Sequence, residues 1–555
     1  MLPMRIKLVA LNCRYTHSCL ALFYVRNELA AHLDDHDIEI SQFAISDPYL
    51  ATLLQLTVQH PEAIFFSVYI WNAVYVNRLI ADLARIRPEM RIVLGGPQVT
   101  YLPLADLPDK CTVVGGEVEG LPAAFYEDLA RGALQREYRA ESGRPFSFPY
   151  QDADFTHGLK NRQIYFESSR GCPFSCSYCL SSVEQGVRYK PLDQVRVELE
   201  KILALQPEMV RFIDRTFNSS YDRTLAIWQF LADRAAGTMF HFEIAPDRFN
   251  EDLFGFLEKV PPGLFQFEIG LQSTNPSTLT AINRQTDLAQ AKVNIVRLAG
   301  LDTIHIHVDL ILGLPHETRD SFRTSFNEVF VLFPHHLQMG LLKILPGTAM
   351  ANAPEYGIIA SAAPPYEVLS TRWLDHDTLR HLYWLGECVE SFYNTRFFRT
   401  VMNYFRQHEE DPFAVFEQLL ALCWEHIFFT RARTPESMFH ILYEFLAERQ
   451  DGKLLHELLV FDWVRSGHRS VPPEITAGEY FSDRQRLQKE LPQNLAPYYA
   501  YSTRDDFIRH NFFVDFSREA LLAAGLDAKG PATVCFLQEK TGGVYAYKKA
   551  LLLTR

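Results

Sequence analysis

Short apolar runs alternate with amphipathic helical patterns from Met1 to about Arg139. Apolar runs bounded by turn residues predict buried parallel strands, and the segments between them predict helices on both faces of a sheet. The predicted strands are 6–11, 38–43, 63–68, 91–94 and 111–114, and the predicted helices are 20–31, 74–87 and 121–131. Residues 1–140 are therefore expected to form a doubly wound, Rossmann-like α/β domain.

A second alternating series follows a polar, proline-bearing stretch at 141–162, which predicts a linker. The strands predicted in this series are 163–168, 209–213, 240–244, 266–271, 304–311 and 337–345. Helix-sized segments separate them. Six strand and helix units in succession predict a (β/α)6 partial TIM barrel over residues 163–350.

Strand signals fade beyond Pro365, where long amphipathic patterns such as 377–392 and 437–448 appear. These patterns predict a mainly helical C-terminal domain over residues 366–555. Two apolar runs, 533–538 and 544–552, flank Lys-Thr-Gly-Gly and predict a terminal β-hairpin. Aromatic stretches at 372–377 and 497–501 fit a substrate cavity, although aromatic residues more often belong to a core.

The composition is that of a soluble globular protein with several domains. The chain has 555 residues, of which 48% are hydrophobic and 22% charged. It shows neither a signal peptide nor an apolar run of the roughly 18 residues that a membrane span needs, so we expect a cytoplasmic protein. A net charge of −13 argues against a broad nucleic-acid surface.

Three of the nine cysteines form a CxxxCxxC motif directly after the first strand of the second series. They are Cys172, Cys176 and Cys179. A loop that follows a barrel strand lies at the C-terminal face, where barrel active sites form. Three thiolates leave one iron of a four-iron cluster open, because such clusters normally take four cysteines. A structural zinc site is the alternative, but zinc usually takes four protein ligands and no second cysteine pair or nearby histidine pair is present.

At these residues the chain resembles the radical S-adenosylmethionine (SAM) superfamily, whose motif places an aromatic residue, here Tyr178, before the last cysteine. The resemblance covers residues 163–348. It implies that SAM binds the open iron and is cleaved to a 5'-deoxyadenosyl radical. The cofactor supplies this radical chemistry, and the protein positions it.

Further segments resemble barrel strands of that superfamily, especially its coproporphyrinogen dehydrogenase branch. Residues 267–273, with Gln272, resemble the fourth-strand motif, and residues 309–318 resemble the motif that cradles adenine. The residues that this second motif singles out are Asp309, Gly313 and Pro315. An isolated polar residue at a strand end is also commonly structural.

Two other segments lie where family members contact SAM or substrate: Glu243 at the end of the third strand, and residues 214–218 after the second. The Gly-Gly-Glu motif of the second strand is missing, so the partner of the SAM amino group stays open. Arg284 is either a bidentate partner of the SAM carboxylate or a solvated helix residue.

The doubly wound domain ahead of this barrel resembles the cobalamin-dependent branch of the superfamily. Its loops at the carboxyl ends of the strands carry the resemblance, since open sheets bind ligands there. The candidate cobalamin residues are Asn12, Tyr15, His17, Tyr69, Gly95, Gly96, Pro97, Gly115, Gly116 and Glu117. The glycines permit close backbone approach to a flat cofactor, or they merely form tight turns.

The Asp-x-His-x-x-Gly pattern, which gives cobalt a histidine in other cobalamin proteins, is absent. Residues 34–39 are a near match that lacks the glycine. We therefore expect no histidine on the lower face of cobalt, with His17 as the remaining candidate.

The resemblance implies a cobalamin-dependent radical SAM enzyme with a [4Fe-4S] cluster, SAM and cobalamin. It would methylate an unactivated centre of an unknown small-molecule or peptide substrate, with electrons from a flavodoxin or ferredoxin. Three alternatives stay open. One is a radical rearrangement or cyclisation without methylation, and another is a non-catalytic cobalamin or iron-sulfur sensor. The third is a methylthiotransferase, whose additional cluster would need Cys13, Cys19 and Cys111.

Overall fold

The computed structural model describes residues 4–34, 36–101, 107–183, 186–235, 237–409, 411–468, 504–540 and 543–553, with isolated positions from 472 to 491. The chain forms two compact units. The first contains Met1–Phe256, Thr280–Gln285 and Leu342–Arg372, and the second contains Leu257–Leu279, Thr286–Leu341 and Trp373–Arg555. The predicted aromatic stretch at 497–501 lies outside the described residues.

Six parallel strands form the first sheet, in the order β2-β1-β3-β4-β5-β6. They are β1 (Met4–Asn12), β2 (His36–Ala44), β3 (Ala63–Ser67), β4 (Arg91–Gly95), β5 (Cys111–Gly115) and β6 (Glu137–Arg139). Helices α1 (Leu20–His32), α2 (Tyr49–Leu56), α3 (Ala73–Ile86) and α4 (Ala123–Arg131) connect them.

Both faces of this sheet are covered, as a doubly wound fold requires. Alternate residues of β1 enter separate cores: Val9 and Leu11 enter one, and Leu8 and Ala10 enter the other. The predicted Rossmann-like class is confirmed. Two elements were not predicted: the helix α2, and the edge strand β6, whose Glu-Tyr-Arg sequence has no apolar run. The predicted linker also contains a short helix, α5 (Asp152–Thr156).

The first unit continues with three parallel strands of the second series. Its elements are β7 (Ile164–Phe166), β8 (Ser169–Cys172), β9 (Gly186–Tyr189), α6 (Leu192–Leu203), β10 (Met209–Phe212), α7 (Tyr221–Arg234), β11 (Met239–Glu243) and α8 (Glu251–Leu257). Strand β10 pairs with β7 and with β11, so that Val210 lies beside Ile164 and Phe240. The strands β8 and β9 form a separate antiparallel pair.

Three more parallel strands follow in the second unit, where β13 pairs with β12 and β14. The elements are β12 (Phe265–Gln272), α9 (Pro276–Ala281), α10 (Leu288–Leu301), β13 (His305–Leu312), α11 (Arg319–Leu332) and β14 (His336–Leu341). All six predicted strands of the second series are present. Buried residues alternate with half-buried ones along β12 and β13, which gives each strand an apolar and a polar face.

The C-terminal part is mainly helical, as predicted. A short antiparallel pair, β15 (Ile359–Ala360) and β16 (Val368–Ser370), precedes the helices α12 (His376–Val389), α13 (Arg399–His408), α14 (Pro412–Glu425), α15 (Pro435–Ala447) and α16 (Gly452–Arg465). After these come α17 (Arg504–His510), β17 (Phe512–Phe516), α18 (Arg518–Ala523), β18 (Ala532–Lys540) and β19 (Lys548–Leu552). The antiparallel pairing of β18 with β19 is the predicted hairpin. No described helix combines the length and apolarity needed to cross a membrane.

Candidate active site

The three clustered cysteines lie on the loop that leaves β8 in the first unit. Cys172 ends β8, Cys176 is buried, and Cys179 is half-buried. Gly171 has a φ of +91°, and a Cβ atom there would collide with the carbonyl oxygen of Gly186 on β9. Only glycine therefore allows the close pairing of β8 with β9 that sets where the loop begins.

Backbone and side-chain hydrogen bonds hold this cysteine loop in place. The Ser177 amide donates to the Ile282 carbonyl at 2.9 Å, and the Met350 amide donates to the Ser177 carbonyl at 2.8 Å. Asn283 Nδ2 donates to the carbonyl of Ser175 at 2.9 Å. Segments distant in sequence thus order the loop before any ligand binds, which lowers the entropy cost of binding.

Polar groups surround the thiols. Arg284 Nη1 lies 3.6 Å from Cys176 Sγ, and Thr216 Oγ1 lies 3.6 Å from Cys172 Sγ. Metals bind cysteine as the thiolate, and the guanidinium would offset the negative charge of such a site. Burial raises the pKa of Tyr178 and keeps its phenol protonated. Arg284 is half-buried between α9 and α10, so the structure contradicts the alternative of a solvated helix arginine.

In the segment after β10, residues 214–218, some residues are buried and structural and others are accessible. Asp214 is buried and accepts hydrogen bonds from Ser168 Oγ and Ser169 Oγ, both at 2.6 Å. Burial raises the pKa of this carboxyl group, although the two hydroxyl groups partly offset the effect. Asp214 therefore anchors the start of β8. Glu243, at the end of β11, lies 3.9 Å from Arg215 and is partly exposed.

In the second unit, the predicted adenine and fourth-strand residues lie at the carboxyl ends of β12 and β13. Gln272 has a left-handed backbone with a φ of +72°. Its Oε1 is buried and has no hydrogen-bond partner among the described residues. Gly313 has a φ of +89° and is followed two positions later by Pro315. An unsatisfied buried acceptor on a strained backbone is typical of ligand sites.

A polar face that the sequence did not single out runs along β12, β13 and β14. Parallel pairing places Glu268 beside His307, and Asp309 beside Gln338. His307 Nε2 lies 3.2 Å from Asp309 Oδ1 and 3.0 Å from Gln338 Oε1. Burial opposes the charged form of His307, but Asp309 outweighs burial and raises the pKa of His307. The alternation of polar residues at every second position of β12 and β13 was the available signal.

An apolar cavity of about 420 Å³ lies in the first unit, at the carboxyl ends of the first sheet. Six of the predicted cobalamin residues line it: Tyr69, Gly95, Gly96, Pro97, Gly116 and Glu117. Open parallel sheets bind ligands at this edge. None of the described residues that line the cavity is a histidine.

Different physical reasons explain why Gly95 and Gly96, the two consecutive residues of this cavity, are glycines. Gly96 has a φ of +112°, and a Cβ atom there would lie 2.6 Å from the Val68 carbonyl oxygen, so the turn itself requires glycine. Gly95 has no such constraint, because a Cβ atom there would meet no atom within 4 Å. Its lack of a side chain leaves the cavity open, as a bulky cofactor would require.

Four predicted cobalamin residues do not line this cavity. Asn12 is buried and donates to the His17 carbonyl at 3.1 Å, and Tyr15 is 60% exposed. His17 Nδ1 lies 2.6 Å from the Tyr165 hydroxyl group, and burial lowers the pKa of His17. Gly115 lines a separate cavity of about 270 Å³.

A charged cluster that sequence reasoning missed connects the cavity wall to the cysteine loop. Arg170 binds Glu167 at 2.6 Å, Glu119 at 2.9 Å and Glu117 at 3.2 Å. All four residues line the cavity, and Arg170 precedes Cys172 by two positions. Arg188 also contacts Glu117. Arg170 and Glu119 are 51 positions apart along the chain, and Arg188 and Glu117 are 71 positions apart, so no local motif reveals them.

The structure argues against a second cluster on the N-terminal cysteines. Cys19 and Cys111 belong to the separate cores on the two faces of the first sheet, and Cys13 is exposed. Residues on opposite faces of a sheet cannot bind one cluster together. The cysteine arrangement of the methylthiotransferase alternative is therefore not supported.

Three family models match the chain. They are "B12 binding domain" over residues 6–125, "Radical SAM superfamily" over residues 166–329, and "Protein of unknown function (DUF4080)" over residues 354–518. The chain therefore contains a B12-binding domain and a radical SAM domain, the combination that the cysteine motif and the glycine turns predicted. The cofactors of these domains are a [4Fe-4S] cluster, SAM and cobalamin.

Individual relatives agree with this assignment. The chain is similar to an uncharacterized methyltransferase of Pyrococcus horikoshii, with 23% identity over 376 residues that span 62% of this chain and 79% of the relative. It is also similar to the cobalamin-dependent radical SAM methyltransferase TokK of Streptomyces tokunonensis, with 25% identity over 54% of this chain and 49% of that protein. The structure of OxsB, a cobalamin-dependent S-adenosylmethionine radical enzyme, has the same fold, with a TM-score of 0.57, 12% identity and 85% coverage of both chains.

Proposed function

We propose that this protein is a radical SAM methyltransferase that uses cobalamin to methylate a small molecule. One observation carries the proposal: Arg170 lines the apolar cavity and also precedes Cys172 on β8. The cysteine loop and the cavity are thus built on one chain segment of one compact unit. Transfer between two cofactors needs such proximity, because reacting groups must be held close and oriented.

In this proposal Cys172, Cys176 and Cys179 hold the iron-sulfur cluster. Three thiols fit three irons of a four-iron cluster and leave the fourth for SAM. Five of the other six cysteines are buried, and Cys13 is the exposed one. When bound, the cluster supplies the electron that cleaves SAM, and the electron donor is a flavodoxin or ferredoxin. Arg284 offsets the negative charge of the thiolates from 3.6 Å.

Each unit carries its own candidate SAM residues. In the first unit, Arg284 and Glu243 suit the charged amino-acid end of SAM, since one offers a guanidinium fork and the other a carboxylate. In the second unit, the unsatisfied Oε1 of Gln272 is a candidate acceptor. Asp309 is the other polar candidate. Gly313 and Pro315 form the turn that presents backbone to the adenine, and the left-handed Gly313 supports this role.

Cobalamin would occupy the apolar cavity. Gly95 and Gly96 allow the ring to approach the backbone, with Pro97 and Gly116 beside them and Tyr69 in the wall. Because the described lining contains no histidine, the chain offers cobalt no imidazole there. Glu117 is fixed by Arg170 and Arg188 and contributes the polar part of the wall.

The polar face of the second unit is a candidate surface for a polar substrate group. His307 is held by Asp309 and Gln338, and Asp309 raises the pKa of His307 in spite of burial. Burial, together with the nearby His307, lowers the pKa of His336 to about 3, so His336 stays neutral. A donor and a neutral imidazole side by side suit a polar substrate group.

The formation of S-adenosylhomocysteine tests this proposal. We expect anaerobically reconstituted protein with cobalamin, SAM and a strong reductant to release S-adenosylhomocysteine as well as 5'-deoxyadenosine. Without added cobalamin only 5'-deoxyadenosine should form, since cobalamin accepts the methyl group. Methyl transfer through cobalamin would be refuted if S-adenosylhomocysteine were released equally with and without cobalamin. It would also be refuted if no S-adenosylhomocysteine formed under any condition.

A further inference from the structure

A second cavity, of about 600 Å³, lies entirely within the second unit. It is bordered by the C-terminal ends of α10, α11 and α16, by one side of α13 along its length, and by the end of α18 with the turn that follows it. No role in the proposed methyl transfer involves these residues.

Arginine dominates the lining of this cavity. Four arginines line it, namely Arg396, Arg399, Arg406 and Arg465, whereas Asp302 is the one carboxylate in the described lining. The net excess is three positive charges. The C-terminal ends of α10, α11 and α16 each contribute roughly half a negative charge, and the N-terminal end of α13 contributes roughly half a positive charge. The buried Asp462, whose pKa burial raises to about 6, lies behind the lining. An excess of about one positive charge remains even when both contributions are subtracted.

Two of these arginines have donors that no described residue satisfies. The Nε atoms of Arg396 and Arg406 are buried and have no hydrogen-bond partner within the described part of the chain. Arg396 is only 2% exposed, and its guanidinium donates to the Pro334 carbonyl at 3.3 Å. No ion pair of Arg406 occurs among the described residues, where its guanidinium lies 4.9 Å from the ring centre of Phe333. A buried donor atom without an acceptor calls for a physical explanation, and a ligand in the cavity would supply the missing acceptor.

Three residues at the border of the cavity have a left-handed backbone because helices end there. Asp302 and Phe333, with φ values of 49° and 57°, are the C-caps of α10 and α11, where this conformation is common. Arg396, with a φ of 60°, comes two positions after a helical turn that ends at Asn394. These helix ends place Phe333 and Arg396 in the cavity lining.

Contacts at helix ends explain the positions of two of the four cavity arginines but not of the other two. Arg399 binds Asp302 at 3.1 Å, and Arg396 binds the carbonyl of Pro334 just after α11. Both contacts suit cations near helix C-termini. They leave Arg406 and Arg465 without an anionic partner in the lining. These two guanidinium groups are the ones available to a ligand.

We propose that this cavity binds a small molecule through a pyrophosphate group. Guanidinium forks match phosphoryl oxygens in bidentate fashion, which explains arginine in preference to lysine. Thr400 and Asn403 in the lining offer further hydrogen bonds. The volume of about 600 Å³ exceeds what one phosphate fills and leaves room for a pyrophosphate group.

This site is separate from the proposed reaction centre. The lining residues Asp302 and His335 precede β13 and β14, at the amino ends of these strands. Gln272 and Gly313 lie at the carboxyl ends of β12 and β13. Strand β13 has 8 residues, so about 25 Å separates its two ends. The pyrophosphate site therefore goes beyond methyl transfer, and its ligand acts away from the SAM site.

Calorimetric titration with inorganic pyrophosphate tests the proposal on the full chain, without cofactors. Wild-type protein should bind one pyrophosphate per chain. Arg406→Gln should weaken binding about tenfold or more, because a charge-assisted pair is lost. Arg406→Lys keeps the charge but loses the fork, and its affinity should fall between those of the other two. Arg380→Gln is the matched control, since Arg380 is exposed and pairs with Asp377 on α12.

Three results would overturn the site. They are no binding at millimolar pyrophosphate, equal affinity in wild type and Arg406→Gln, and citrate binding as tightly as pyrophosphate. Thermal unfolding of each variant checks its fold, and if Arg406→Gln fails to fold, Arg406→Lys carries the comparison. Cofactor content and SAM cleavage are measured separately, so failure here leaves the methyltransferase proposal untouched.

Discussion

Arg170 Nη2 donates a 2.9 Å hydrogen bond to Glu119 Oε1, which joins the strand entering the cysteine loop to the turn after β5. The two residues come from the two predicted domains that meet in the first unit. Only 14% of the Arg170 side chain and 7% of the Glu119 side chain are exposed. This ion pair therefore couples the cavity wall to the start of the loop.

Removal of Arg170 should destabilise the first unit. Arg170→Met leaves Glu119 and Glu167 buried without their cation, and breaking a buried pair in this way costs about 3–5 kcal/mol. Urea denaturation followed by circular dichroism measures the loss. Arg139→Met, which breaks an exposed pair with Glu137, should cost less than about 1 kcal/mol. Equal losses for the two variants would contradict the structural role of Arg170.

Filling the cavity should remove cobalamin without removing iron. Gly95→Phe places a ring in open space with no backbone strain, so the fold and the cysteine loop should persist. Cobalt and iron content after reconstitution measures the effect. Gly115→Phe is the comparison, because Gly115 lines the other cavity and should leave cobalamin bound. Cobalamin loss in Gly115→Phe alone would assign the cofactor to that cavity instead.

The buried pair of Lys190 and Glu198 should behave non-additively. Lys190 Nζ lies 2.6 Å from Glu198 Oε2, and the two side chains are 2% and 4% exposed. Lys190→Met alone should cost about 3–5 kcal/mol, because it strands a buried carboxylate. Replacing both residues with methionine should recover most of that loss. A double-mutant cycle, with the free energy of unfolding measured by urea denaturation, checks this recovery. Simple additivity of the two single losses would contradict it.

Asp462 should make the protein less stable as pH rises. Its carboxylate accepts amide hydrogen bonds from Thr400 and Val401, yet burial raises its pKa from 3.8 to about 6. The folded state therefore holds the proton more tightly than the unfolded state does. The resulting stabilisation is complete below pH 3.8 and is lost as pH rises through about 6, a change of about 3 kcal/mol.

Asp462→Asn isolates this contribution. The amide oxygen of asparagine can still accept from the Thr400 and Val401 amides but does not titrate. Thermal unfolding at pH 4 and pH 7 should therefore show a smaller pH dependence in the variant than in wild type. An identical pH dependence would mean that Asp462 does not titrate in this range.

Local sequence patterns were sufficient to predict most of the fold. The strands β1 to β5 were predicted because each contains closely spaced apolar residues next to turn residues. The edge strand β6 was missed because it contains Glu137 and Arg139, and its pairing with β5 is a tertiary effect. The predicted helix 377–392 is α12 followed by a π-helical turn, Glu390–Asn394, which periodicity does not indicate.

The candidate site was only partly visible in the sequence. The cysteine loop and the pair Gly95 and Gly96 are local motifs, so residue spacing was sufficient to predict them. The cluster around Arg170 depends on strands that only the fold brings together. The left-handed backbone of Gln272 could not be predicted either, because non-glycine residues with positive φ have no local signal. The arginine cavity likewise assembles from five separate helices.

The proposed function depends most on an iron-sulfur cluster that Cys172, Cys176 and Cys179 hold with one iron open to SAM. Electron paramagnetic resonance tests for this cluster directly. Reconstituted protein should carry about four irons per chain. Its reduced cluster should give a spectrum that changes when SAM is added, and Cys176→Ala should abolish the signal. Bound zinc in place of iron, or a cluster spectrum that SAM leaves unchanged, would contradict the account.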